Sequence, residues 1–280
     1  MTLARLVSIS RPRFWLYEAG TFAVGAAAAL ARGGGAWDWT LLPWFLYFLI
    51  PANLLIYGVN DVFDYETDRR NPKKQGYEGL LPRSAHRRVL AAAALSTAAF
   101  LPLLFLAPQA ALLPFGLFLL GAVFYSAPPI RAKAVPGLDM LFSATHYVAT
   151  GWFGYALALG TGVPYAPLLA GLAWAMAMHA YSAVPDIAAD EGSGLRTVAT
   201  ALGARRTLLL CAGLYAAAGA LAFPSLGYAA PALLAPYLVL VAATLPQVGN
   251  EEALMRRYRT FPYLNAIVGA LIWWLVVLGR

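Results

Sequence analysis

The chain has 280 residues, of which 61% are hydrophobic and only 12% are charged. An ordinary soluble domain carries about a quarter charged residues, so composition excludes a soluble globular protein. The formal net charge of +7 would suit nucleic acid, but its distribution along the chain assigns it to membrane topology and leaves no nucleic-acid partner expected.

Apolar runs close to the ~20 residues needed to cross a bilayer recur along the whole length. Nine are expected, at about 14–31, 39–59, 88–107, 110–127, 138–160, 166–184, 207–226, 229–247 and 262–279. With no water in the bilayer to satisfy the backbone, they must be helices or a closed barrel. Barrel strands would alternate every second residue; these runs do not. The expected fold is therefore all-α: a polytopic membrane protein with about nine transmembrane helices. No linker divides it, so residues 1–280 read as a single domain. Met1 to Arg13 is a short basic lead-in without a small-residue cleavage site, and the first helix is expected to stay. Glu18 in that helix is expected to pair with Arg11 or Arg13, or to reach the interface. The single Cys211 supports neither a disulfide framework nor a thiolate metal site.

Numbering the connections alternately from the N-terminus puts eighteen of the twenty basic residues on one side, with Arg32 and Arg280 on the other. Lys and Arg are retained in the cytoplasm. The expected placement is the cell membrane, with the N-terminus and the long loops cytoplasmic and the C-terminus external. The excess of positive charge also suits anionic headgroups and anionic substrates.

Two cytoplasmic loops concentrate the acids. The first begins Asn60-Asp61-Val62-Phe63-Asp64-Tyr65-Glu66-Thr67-Asp68. Asp61, Asp64 and Asp68, at i, i+3 and i+7, fall within about 60° of arc on one face of a continued second helix. Carboxylates so placed repel one another unless a cation lies between them. Oxygen-only ligands suit Mg²⁺, which takes one or two carboxylates plus phosphate oxygens and water. The second loop repeats the logic with Asp186 and Asp190. Seven of the thirteen acids lie in 61–68 and 186–191, and acids at the C-terminal end of a helix oppose its dipole. Asp61, Asp64, Asp68, Asp186 and Asp190 are therefore candidate metal ligands, with Asp64 and Asp186 the carboxylates on which turnover is expected to depend. Arg69, Lys73, Arg131, Lys133 and Arg196 follow these acids or sit in the loop after the fourth helix. Metal and cations together would clamp a leaving diphosphate. A polar side chain inside a membrane helix normally faces the bundle interior, which makes His146 and His179 candidate pocket residues, with Tyr57 and Tyr181 beside them.

These residues resemble a family. Asn60-Asp61-x-x-Asp64-x-x-x-Asp68 is similar to the first aspartate motif of the UbiA superfamily of intramembrane prenyltransferases, and Asp186-x-x-x-Asp190 to the second. Tyr125 with Lys133 resembles the intervening Tyr/Lys loop, and Arg11-Pro12-x-x-Trp15 resembles the family's start. The resemblance implies a bundle with a central cavity open to the cytoplasmic side and the membrane. There Mg²⁺ and an isoprenyl diphosphate donor would bind, and the prenyl group would pass to a lipophilic acceptor. It also implies that Asn53, Asn60 and Tyr125 lie near the diphosphate. The run Ser182 to Asp190, with Gly194-Leu195-Arg196-Thr197-Val198 after it, is nearest the lycopene-elongating branch, although Glu191-Gly192-Ser193-Gly194 departs from that branch's usual residues. The function expected is transfer of a dimethylallyl group to a carotenoid such as lycopene. The alternatives are a quinone-type aromatic acceptor and, in a different class, a membrane transporter.

Overall fold

The computed structural model describes residues 2–33, 38–69 and 79–279, and among them every regular element is helical. A short helix α1 (Leu3–Ile9) precedes the bundle. The first spanning helix is α2 (Trp15–Gly33). The second expected span is broken: α3 (Leu41–Leu49) gives way to α4 (Pro51–Phe63) at Ile50, whose backbone leaves the helical region. Pro51 explains the break, because it lacks an N–H and disfavours a helical residue before it. A further turn, α5 (Tyr65–Asp68), follows Asp64.

Next come α6 (His86–Ala98), a 3₁₀ segment at Leu101–Leu106, and α7 (Gln109–Phe124). The run expected at 88–107 thus changes its winding near Pro102. The remaining helices are α8 (Leu138–Leu159), α9 (Tyr165–Ala183), the short α10 (Ile187–Gly192) and α11 (Val198–Leu202), then α12 (Ala204–Leu226), α13 (Ala229–Thr244) and α14 (Glu251–Leu278). Among the described residues seven helical segments are long and apolar enough to cross a membrane, and Gln109–Phe124 is shorter. Leu138–Leu159 is long, but Asp139, His146 and its hydroxyl residues make it less apolar.

The last helix begins well before the expected 262. Asn250 caps it, its Oδ1 accepting from the Ala253 N–H at 3.0 Å, and Glu251 and Glu252 occupy the first turn. Acids there complement the helix dipole. This charged lead-in hid the helix from a hydropathy reading, yet it carries Tyr258, Phe261 and Pro262 to the polar cavity described below.

Helix α8 runs through the centre, against α2, α7 and α9. Its contact with α2 is backbone to backbone. A Cβ placed on Gly25 would lie 1.9 Å from the Gly151 carbonyl oxygen, and one on Gly154 would lie 2.4 Å from that of Phe22. In lipid, where apolar burial gives helices little reason to associate, such small residues let the packing supply the attraction. The α7–α8 contact is similar, for a Cβ on Gly121 would meet the His146 backbone nitrogen at 3.0 Å. Around the C-terminal half of α8, Phe22, Trp44, Tyr47, Phe48, Phe115, Phe118 and Phe153 pack ring to ring. This aromatic block closes the bundle at one end and leaves the aspartate end to form a cavity.

Candidate active site

The aspartate end of α4 is held by cations from other parts of the chain. Asp64 is fully buried; its Oδ2 accepts from Lys133 Nζ at 2.8 Å, Asn60 Nδ2 at 2.6 Å and Ser126 Oγ at 2.8 Å. Its Oδ1 is buried without a hydrogen bond, and among the described residues the Arg131 guanidinium lies 3.9 Å away. Asp61 accepts from Arg11 at 2.7 Å, both side chains being nearly buried. Arg11 and Arg131 are also the two non-glycine residues with positive φ among those described. A left-handed backbone costs on the order of 1–3 kcal/mol and persists where the surroundings demand it. Here it turns two guanidiniums toward the carboxylates. The loop after α7 folds back so that the Lys133 N–H donates to the Tyr125 carbonyl at 2.9 Å, which brings Lys133 and Tyr125 to one wall.

A polar cavity of about 230 Å³ lies against these residues, and Asn60, Asp68, Tyr125, Lys133, Asp186 and Asp190 all line it. Asp68 of the first motif and both aspartates of the second, 118 residues apart from Asp68 to Asp186, therefore face one space, whereas Asp61 and Asp64 are outside its lining and pair with Arg11 and Lys133, which are in it. Tyr57, His146 and His179 line it too. Desolvation, and after it the carboxylates of Asp139, Asp64, Asp190 and Asp186, pushes the Tyr125 hydroxyl well above its ordinary pKa. It stays protonated and is a hydrogen-bond donor in the cavity wall.

Other expected site residues lie elsewhere. Asn53 is buried but does not line the cavity; its amide donates to the carbonyls of Phe48 and Leu49 at 2.9 and 3.1 Å, filling the gap that the break at Ile50 leaves. Arg69 is half exposed and pairs with Glu66 at 3.5 Å. Arg196 is exposed and outside the cavity lining. Tyr181 packs on Phe261 and hydrogen-bonds Thr244 at 3.0 Å, away from the cavity. Lys73 lies outside the described residues. Glu18 pairs with neither Arg11 nor Arg13 in the way expected; its Oε1 is 2.7 Å from His146 Nδ1.

A scan of family models matches residues 20–262 to the UbiA prenyltransferase family. The chain belongs to this family. It is 40% identical over 270 residues to a lycopene elongase/hydratase of Haloferax volcanii, covering 96% of this chain and 87% of that protein. A lycopene elongase/hydratase of Halobacterium salinarum is 38% identical, with 94% of each chain covered, and one of Corynebacterium glutamicum is 36% identical, with 97% and 96% covered. Among solved structures, a UbiA homolog from Archaeoglobus fulgidus bound to DMAPP and Mg²⁺ superposes with a TM-score of 0.71 at 19% identity, over 97% of this chain and 98% of that one. The apo UbiA homolog from Aeropyrum pernix K1 gives 0.73 at 20% identity, over 96% and 98%. This UbiA family member is a prenyltransferase and an integral membrane protein, which decides against the transporter alternative.

Several residues that build the candidate site of this UbiA prenyltransferase have no local sequence signal. Ser126 holds the aspartate that Lys133 also holds. Asp139 anchors the second-motif loop: its Oδ1 accepts from the Gly137 N–H and its Oδ2 from the Val198 N–H, each at 2.7 Å, with His179 Nε2 at 3.5 Å. Thr197, which lines the cavity, caps α11 in a reciprocal pair with Thr200.

A second, apolar cavity of about 1090 Å³ lies between α2, α8, α9, α12, α13 and α14. Tyr17 and Tyr147 line both cavities. Their rings meet edge to face at 5.9 Å, and Phe14 joins Tyr17 to Tyr57 at 5.4 and 5.7 Å. Asn265 fixes the junction, donating to the Tyr17 hydroxyl at 2.9 Å and accepting from that of Tyr237 at 2.8 Å. An anionic cavity wall and an apolar chamber therefore meet at a belt of aromatic faces.

Proposed function

We propose that this prenyltransferase transfers a dimethylallyl group from its diphosphate to the end of an acyclic carotenoid, with lycopene as the acceptor. The observation that carries this reading is the shared Tyr17–Tyr147 wall, which brings a diphosphate-sized polar cavity to the mouth of a long apolar one. The apolar lining follows α2 from Leu16 to Arg32, about 24 Å at 1.5 Å per residue, a shape suited to a rod-like polyene. The names and identities of the relatives support the same acceptor, and the diphosphate and ion bound by the Archaeoglobus homolog support the donor and the metal.

The donor set fits a hard divalent cation. Asp61, Asp64, Asp68, Asp186 and Asp190 offer oxygen only, and the buried Asp64 Oδ1 has no hydrogen bond to lose. Among the described residues no three acids or histidines form a ready-made ion site. Phosphate oxygens and water would therefore have to complete the shell of a bound Mg²⁺, as this ion commonly allows. Bound there, Mg²⁺ would neutralise charge on the diphosphate and make it a better leaving group.

The chain's own residues do the rest. Lys133, Arg11 and Arg131 leave their carboxylate partners for the diphosphate, and the Tyr125 hydroxyl donates to it. The C–O bond breaks with its electron pair going to the diphosphate. The faces of Tyr57, Phe14, Tyr17 and Tyr147 shelter the allylic cation, a desolvated cation–π contact contributing up to about 2 kcal/mol. The terminal alkene of the polyene, held in the apolar chamber, then attacks. The motifs face the cytoplasm, where the basic residues lie.

Expression in lycopene-producing cells, with mass spectrometry of the pigments, tests the acceptor. A gain of one or two C5 units supports it, and unchanged pigment alongside prenylated quinone precursors overturns it. The metal is tested in detergent with EDTA: activity should vanish and return with Mg²⁺, and full activity without divalent metal would refute the site.

A further inference from the structure

The attack of an alkene on the allylic cation leaves a tertiary carbocation, and turnover requires that something remove a proton. We propose that His146, held in place by Glu18, is the base that takes it, an inference that rests on the carbocation chemistry proposed above. His146 lines the polar cavity directly beside Tyr147, at the junction with the apolar chamber. Its Nδ1 is 2.7 Å from Glu18 Oε1, with side-chain exposures of 5% and 1%. In this proposal Nδ1 carries the proton of the contact, donates it to the carboxylate and leaves the lone pair on Nε2. Among the described residues Nε2 has no protein partner, while the ring borders the cavity.

A purely structural pair is a poor explanation. Burying an ion pair is often no better for stability than packing apolar groups of similar volume, and ionisable residues inside membrane helices are expensive and tend to be functional. The packing around the pair is also unusually close. Gly25 and Gly154 let α2 and α8 touch by backbone, and Gly121 lets α7 approach the His146 backbone. These contacts hold the carboxylate on one helix against the imidazole on the other.

The other titratable groups in the cavity wall are less suited. Asp68, Asp186 and Asp190 belong to the diphosphate end. His179 has its edge against Tyr125 and its Nε2 near Asp139. Tyr17, Tyr57 and Tyr147 are phenols, weak bases when protonated. His146 is the imidazole at the junction.

The step balances simply. The alkene's electron pair forms the new C–C bond, and the positive charge moves to the adjacent tertiary carbon. A neighbouring C–H bond supplies the pair for a new C=C bond, and its proton goes to Nε2. If water adds to the cation instead, the oxygen forms the C–O bond and its surplus proton goes to the same nitrogen. Glu18, the positioning residue, stabilises the imidazolium until the proton leaves with the diphosphate.

The test uses purified His146→Gln and Glu18→Gln with dimethylallyl diphosphate and the acceptor that the wild type prenylates. Elongation by His146→Gln should fall about 10²–10⁴-fold, the usual contribution of a positioned base, with KM for the diphosphate within about twofold. Diphosphate release should persist, and the surviving product should spread over more alkene and alcohol isomers. Glu18→Gln keeps volume and hydrogen bonding, so it should fold where His146→Gln does not, and should show the same spread with a smaller loss. Wild-type product ratios in both variants, or in Glu18→Gln alone if His146→Gln does not fold, overturn the proposal. If the wild type ignores lycopene but prenylates an aromatic ring, the acceptor reading fails. The base is then judged by the same variants, since rearomatisation also releases a proton.

Discussion

Replacing Lys133 by Met should make the stability of the protein depend on magnesium. Lys133 Nζ lies 2.8 Å from a fully buried Asp64 oxygen, and the lysine side chain is itself only 10% exposed. Methionine keeps the stem's volume and removes the charge. Breaking a buried pair by deleting one partner costs about 3–5 kcal/mol, because the remaining charge is left uncompensated. The lower end applies, since Asn60 and Ser126 still donate to the same oxygen and Arg131 stands 3.9 Å from the other. At roughly 2–4 °C per kcal/mol for a chain of this size, the thermal midpoint in EDTA should drop by about 6–12 °C. Mg²⁺ bound by Asp64 would supply the missing positive charge, so millimolar Mg²⁺ should recover most of the loss in the variant and change the wild type less. The measurement is a thermal aggregation curve in detergent for both proteins, with EDTA and with Mg²⁺. A variant as stable as wild type in EDTA, or one that Mg²⁺ fails to rescue, would refute the view that lysine and metal answer the same carboxylate.

Further outcomes follow from the same geometry. Asp64→Ala and Asp186→Ala should each abolish prenyl transfer, measured as product per mole of folded enzyme. Arg69→Ala and Arg196→Ala should change kcat/KM less than about threefold, because both side chains are exposed and neither lines the cavity; a hundredfold loss would show that they swing inward with donor bound. Gly25→Ala should destabilise the bundle by at least the 1–3 kcal/mol typical of overpacking, seen as loss of a monodisperse peak in size exclusion, because the added Cβ meets backbone and not a movable side chain. Val24→Trp, inside the apolar chamber, should block elongation of a long acceptor while diphosphate release continues, assayed by phosphate analysis.

The parts of the site that were legible in the sequence are those with a local pattern. Asp61, Asp64 and Asp68 recur at helical spacing in a chain where acids are scarce, and Asp186 with Asp190 repeats the pattern. Arg11, Asp139 and Glu18 could not be placed this way, because the groups that they meet lie 50, 59 and 128 residues distant. Such partners are set by helix packing, and the packing here depends on which glycines face each other. Asn53 shows a different failure. The rule that an isolated Asn in a membrane helix avoids lipid holds for it, but the break before Pro51 leaves the Phe48 and Leu49 carbonyls at the end of the preceding helix α3, and these take the amide. The last helix was misjudged at its start because hydropathy ignores capping by Asn250.

The same packing explains how a chain can keep so many acids at the membrane edge before any substrate arrives. Asp61 has Arg11 and Asp64 has Lys133. Within the bundle Glu18 faces His146 and Asp139 faces His179. The first two pairs use always-charged partners that line the polar cavity and that, on the proposed mechanism, exchange a carboxylate for a phosphate oxygen. The last two use imidazoles, which neither bind a diphosphate strongly when neutral nor hold a fixed charge. The difference divides the cavity by task. On the proposed mechanism its outer wall manages the charge of the leaving group, where a permanent cation is needed, and its inner wall accepts the proton as the product is finished. Exchanging the two kinds of partner should therefore fail in both directions. His146→Lys would place a fixed positive charge beside the forming carbocation, and elongation should fall at least as far as in His146→Gln. Equal activity of the two variants with wild type would contradict this division of labour.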